Sequence, residues 1–71
     1  MAHTWTPIRE LTPDLRGGWI MRVRGRGDLG HITRNAGPRS TTYRCTGRQD
    51  TDLGSTETLT EAAWRLWRQQ P

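Results

Sequence analysis

The chain contains no lysine and no phenylalanine, and only one cysteine, one tyrosine and one asparagine. The solitary Cys45 excludes an intramolecular disulfide framework and any multi-cysteine zinc site, and favours a reducing, cytoplasmic setting. Leucine, isoleucine and valine together number 10 of 71 residues, a shortage that would predict disorder were it not offset by four tryptophans. No apolar run approaches the roughly 18 residues of a membrane span. The N-terminal Met-Ala-His-Thr-Trp lacks the basic and apolar blocks of a secretory signal. At 71 residues the chain is one small domain, below the size that houses an extensive catalytic cleft, so a non-enzymatic binding protein is expected.

What is plentiful is arginine, threonine and glycine, the usage of a GC-rich genome. All 11 basic residues are arginines against 7 acids, giving a formal charge of +4. That balance permits nucleic-acid contact without demanding it, and the positions of the charges carry the argument.

Residues 1–16 are expected to form an N-terminal arm or an extra strand, with Thr12 capping a short helical turn that begins at Pro13. Residues 17–71 are expected to form a single β-β-β-α domain. Trp19 to Arg24 alternates, with Trp19, Met21 and Val23 on one face and Ile20, Arg22 and Arg24 on the other. Gly25 to Asp28 supplies turn chemistry before a second strand from Leu29 to Arg34. Asn35 to Pro38 makes the next turn, and Thr41 to Thr46 a third strand. Gly47 to Glu57 reads as a polar loop, and no internal repeat is evident.

A helix follows. Its start is open between a capping box of Thr58 with Glu61 and a cap at Thr60 with Leu59 stapled to Trp64. Leu59, Ala62, Ala63 and Leu66 share one stripe, flanked by Trp67, and should cover the sheet face made by Trp19, Met21, Val23, Tyr43 and Cys45. The fold class is therefore α+β, a three- or four-stranded antiparallel sheet packed on one C-terminal helix.

The other sheet face is the main functional candidate. Arg22, Arg24, Arg34 and Arg44 would project from it, with Arg26 and Arg48 extending it at the turns, a set able to neutralise phosphates of double-stranded DNA. Three short strands followed by a helix opening Leu59-Thr60-Glu61-Ala62-Ala63 resemble phage-integrase arm-binding and AP2-like DNA-binding domains. They also resemble many short proteins of high-GC bacteria and their phages. That resemblance implies a DNA-binding, phage-encoded protein with Arg22, Arg24, Arg34 and Arg44 as contacts. The stretch from Gly47 to Glu57 is longer and more acidic than the pattern.

A second reading is a protein-interaction module. Trp64 with Arg65 and Arg68 would form an aromatic and basic patch of the kind enriched at interfaces, and a strand edge would offer a route to a partner or a homodimer. Other motifs carry less. Gly25-x-Gly27-x-x-Gly30 has dinucleotide-loop spacing but runs into a strand instead of a helix. The embedded Arg26-Gly27-Asp28 is coincidental in a non-exported chain. His31 could face Cys45 across neighbouring strands as a structural pair, and no metal, cofactor or catalytic set is assigned.

Overall fold

The computed structural model describes residues 5–69. Residues 1–4 of the expected arm, His3 included, lie outside them. After a short 3₁₀ turn at Pro7–Glu10, five strands follow in order: β1 Leu11–Pro13, β2 Trp19–Val23, β3 Gly27–Ala36, β4 Thr41–Thr46 and β5 Asp52–Thr56. Helix α1, Leu59–Trp67, closes the chain. The sheet is an antiparallel meander in which each strand pairs with the next. The architecture is α+β as expected, with five strands instead of three or four. Among the described residues no helix is long and apolar enough to cross a membrane.

One strand is the extra-strand alternative within residues 1–16, and another lies where a loop was expected. Leu11, Thr12 and Pro13 pair with Met21, Ile20 and Trp19, so the short helical turn sits earlier, at Pro7, and Thr12 caps nothing. An edge position explains this, since proline is tolerated where one side of the strand has no partner. The polar segment after Gly47 is also no loop. Arg48–Asp50 forms a tight turn, with the Thr51 N–H donating to the Arg48 carbonyl at 3.2 Å, and Asp52–Thr56 returns beside β4. Gln49 and Asp50 both have positive φ, at 57° and 59°. This is the backbone of hairpin turns usually written Asn-Gly, which is why the sequence concealed it.

Each of the two bulges in the sheet is an Asp-Leu-Gly unit. In β3, Met21 faces Gly30 and Arg22 faces Asp28, leaving Leu29 unpaired. In β5, Cys45 faces Gly54 and Thr46 faces Asp52, leaving Leu53 unpaired. The aspartate Oδ1 accepts the glycine N–H in both, at 3.0 Å and 2.9 Å. Gly30, at φ 131°, also lets two backbones meet: a Cβ there would strike the Thr46 carbonyl and press on Leu66.

The core is Met21, Leu29, Ile32, Cys45, Ala62, Ala63 and Leu66, with Trp19, Val23, Tyr43, Leu59 and Trp67 packed around it. Burying a side chain such as Leu66 or Ile32 is worth about 1.5–3 kcal/mol, and the two alanines let the helix approach the sheet closely. Thr58 resolves the choice of caps: its side chain accepts the Glu61 N–H at 3.1 Å. Past the helix, Gln69 donates to the carbonyls of Leu29 at 2.6 Å and Leu66 at 2.9 Å, and accepts the Arg48 N–H at 2.9 Å.

Candidate nucleic-acid interface

The six arginines expected on one sheet face are dispersed by the fold. Alternation from the buried Ile32 and Cys45 places Ile20, Arg22, His31, Thr33, Asn35, Thr42, Arg44 and Thr46 on the helix-free face. Only Arg22 and Arg44 of the predicted set are there. Each meets a carboxylate: Arg44 bonds Asp52 at 2.9 Å, and Arg22 stands 4.0 Å from Asp28. The Gly54 N–H, and after it the charge of Arg44, hold the Asp52 carboxyl below its ordinary value.

The other four lie elsewhere. Strand β2 ends at Val23, so Arg24 belongs to the exposed turn that follows it. Arg34 pairs with Tyr43 and leaves the sheet on the helix side. Arg26 folds inward: its guanidinium lies 4.6 Å from the Trp67 ring centre and donates to the Trp67 carbonyl at 2.9 Å and the Gln69 carbonyl at 3.4 Å. A cation on the last carbonyls of a helix complements its dipole, so Arg26 is a C-terminal clasp. Arg48 supports it by donating to the Arg26 carbonyl at 3.1 Å.

A groove of about 840 Å³ lies over the helix-free face, floored by Ile20 and His31 and walled by Asp14, Arg16, Gln49 and Asp50. Asp28 and Arg48 also line it, so its three carboxylates outnumber its two guanidinium groups. It offers no positive excess to a phosphate. His31 pairs with Thr46, and Ile32 is the neighbour of Cys45, so the expected His31–Cys45 pair does not form. Burial pushes the Cys45 thiol up, as fits a core residue and not a nucleophile. Among the described residues no three His, Cys, Asp or Glu side chains converge as metal ligands.

The expected protein-binding patch is partly occupied by the chain itself. Trp5 lies edge-on to Trp64 and Trp67, with ring centres 6.0 Å and 4.8 Å away, and Arg68 covers Trp64 at 5.0 Å. Arg65 donates to the Leu53 carbonyl at 2.6 Å.

One stretch of the chain carries no carboxylate of its own. Between Asp28 and Asp50 the chain has no acid, and this stretch holds Arg34, Arg39, Arg44 and Arg48. Its middle is a two-stranded ribbon. The β2 pairing with β3 ends at Trp19 with Ile32, and the β5 pairing with β4 ends at Tyr43 with Thr56. Beyond Arg34 and Tyr43 only the pairs Asn35 with Thr42 and Ala36 with Thr41 remain, flanked by neither β2 nor β5 and closed by a turn in which the Gly37 N–H donates to the Ser40 carbonyl at 2.8 Å. Residues 33–40 are all exposed. Arg39 in that turn was missed, and the acid-free interval was the signal for it. No protein-family model, curated protein or solved structure matches the chain.

Proposed function

We propose that this chain is a non-enzymatic binder of double-stranded DNA that meets the phosphate backbone with the β3–β4 ribbon, through Arg34 and Arg39. The observation that carries this reading is the acid-free interval from Leu29 to Gln49, in which Arg34 and Arg39 are both exposed at and beyond the end of the flanking strands. Of the predicted contacts, Arg22 and Arg44 meet carboxylates and Arg26 and Arg48 are engaged with backbone, whereas among the described residues Arg34 and the neighbouring Arg39 meet no carboxylate. Phosphate contacts supply sequence-independent affinity and make it salt-dependent.

The test is fluorescence anisotropy of a labelled duplex at about 50 and 200 mM salt, a range over which several phosphate contacts change affinity by orders of magnitude. Tight binding at the lower salt, a steep fall at the higher, and a loss of at least about tenfold in R34E/R39E support the reading. No binding at the lower salt, or equal binding by the variant, removes it. A protein partner is the second reading, favoured by one observation: Trp5 is 41% exposed beside Trp64 and Arg68. In that case W5A abolishes partner capture while duplex binding is absent from both proteins.

A further inference from the structure

We infer that Trp5, with Arg68 beside it, forms a second nucleic-acid site that takes an unpaired base, so that the chain holds single-stranded DNA at the end of the sheet away from the ribbon. This widens the DNA reading above. The geometry of three rings is the first argument. Trp5 meets Trp64 at an interplanar angle of 84° and Trp67 at 61°, so neither ring lies flat on it, and it is 41% exposed. Each helix tryptophan already has a guanidinium over its ring, Arg68 on Trp64 and Arg26 on Trp67. Among the described residues Trp5 has none. A partly exposed ring with nothing stacked on it can take a base flat against it, whatever that base is. The ring is also held in place: Pro7, two residues on, is fully buried, and the 3₁₀ turn that it opens packs on α1. Little side-chain freedom is then lost when a base arrives.

Charge is the second argument, and it favours an anionic strand over a protein surface as the occupant. The ion pairs among the described residues are Arg22 with Asp28 and Arg44 with Asp52, so Arg26 and Arg68 meet no carboxylate there. No acidic side chain follows Glu61 in the sequence. Glu61 stands one turn before Trp64 and the exposed Arg68 one turn after it, so a phosphate next to the stacked base would lie toward Arg68. Stacking on an aromatic ring beside an arginine is the way single strands are held without regard to sequence. The two sites are well separated. Arg26 precedes β3 and the ribbon turn follows it, and the ten residues of that strand span about 30 Å.

The test is anisotropy of a labelled oligothymidylate of about 12 nucleotides, beside a blunt duplex, at about 50 mM salt. The natural chain should bind the single strand. Trp5→Leu, which keeps an apolar contact but removes the ring, and Arg68→Gln, at an exposed position, should each weaken that binding at least about fivefold. Trp5→Phe, which keeps a ring, should retain more of it than Trp5→Leu, and the duplex affinity of Trp5→Leu should stay that of the natural chain. No binding of the single strand overturns the inference; if the duplex still binds, the ribbon reading stands, and if neither binds, both fall. Single-strand binding that is unchanged in Arg68→Gln and in a folded Trp5→Leu but lost in R34E/R39E assigns the strand to the ribbon and overturns the Trp5 site. A lowered unfolding midpoint in Trp5→Leu with unchanged single-strand affinity also overturns it, leaving Trp5 as a latch on the helix. Single-strand binding lost in Trp5→Leu and Arg68→Gln, with no duplex binding by any of the proteins, removes the ribbon and keeps this site.

Discussion

The carbonyls of Leu29 and Leu53, 24 residues apart, are each bonded at 2.6 Å by side chains four residues apart, Gln69 just past the helix and Arg65 in its last turn. Both leucines are the unpaired residues of Asp-Leu-Gly bulges, and the correspondence extends through two hairpins. Trp19 with Ile32 is matched by Tyr43 with Thr56, and Met21 with Gly30 by Cys45 with Gly54. A bulge leaves one residue out of the ladder, so its carbonyl needs another donor. The C-terminal end of the helix supplies one for each hairpin.

Gln69→Ala should therefore destabilise the fold by about 2 kcal/mol, because it leaves the carbonyl of the buried Leu29 and the N–H of the half-buried Arg48 without partners. Arg65→Ala, whose donor group is more exposed, should cost less than about 1 kcal/mol. Urea unfolding midpoints of the two variants check this, and the reverse order would refute the assignment of Gln69 as the principal tie.

The glycines separate backbone strain from collision. Gly25 has φ 86° with open space around it, so Gly25→Ala should cost about 1 kcal/mol. Gly30→Ala adds a clash with the Thr46 carbonyl and Leu66 to an equally unfavourable φ, and should cost at least about 3 kcal/mol or prevent folding. Similar midpoints for the two variants would mean that the strand and helix yield at Gly30.

The β4–β5 turn holds ordinary side chains where asparagine and glycine are better suited. Replacing Gln49 by Asn and Asp50 by Gly should raise stability by about 1–2 kcal/mol through relief of two left-handed backbones. Thermal and urea unfolding measure it, and an unchanged or lowered midpoint would show that the turn is not strained.

Asp52 makes stability depend on acid pH. Its folded pKa lies below the ordinary value of 3.8, so its contribution is fully present above that value and is lost as pH falls through the folded one. Asp52→Asn should flatten the decline of the unfolding midpoint below pH 4, and Arg44→Ala should flatten it only in part, since the Gly54 N–H is the larger cause. A slope identical to that of the natural chain in Asp52→Asn would rule this out.

The sequence disclosed the strands and helix whose apolar spacing is regular. Trp19-Met21-Val23 and Tyr43-Cys45 alternate, and the helix stripe from Leu59 to Leu66 is unbroken. It left β1 open, as an arm or an extra strand, because Pro13 ends it, and concealed β5 because Asp52-Leu53-Gly54-Ser55-Thr56 offers one large apolar side chain and little strand preference. Arg34 was misplaced for a definite reason. Counting alternate positions from Leu29 sends it outward, counting from Ile32 sends it inward, and the bulge between the two shifts the phase. The recurrence of Asp-Leu-Gly at 28–30 and 52–54 was in plain view, but three letters carry no weight until the register shows them doing the same work. The arginine face failed with β5 missing: without that strand nothing placed Asp52 beside Arg44.

Both margins of the sheet are poor templates for growth. One is a three-residue strand ending in Pro13, and the other is short, bulged and crossed by Arg65. The long unpaired strand edges are those of the ribbon, where Thr33–Ala36 and Thr41 and Thr42 have neighbours on one side only. A second molecule adding its own ribbon there would bring Arg34 and Arg39 against their copies. Like charge at these two positions opposes edge-to-edge growth at the one margin that neither a proline nor a bulge blunts.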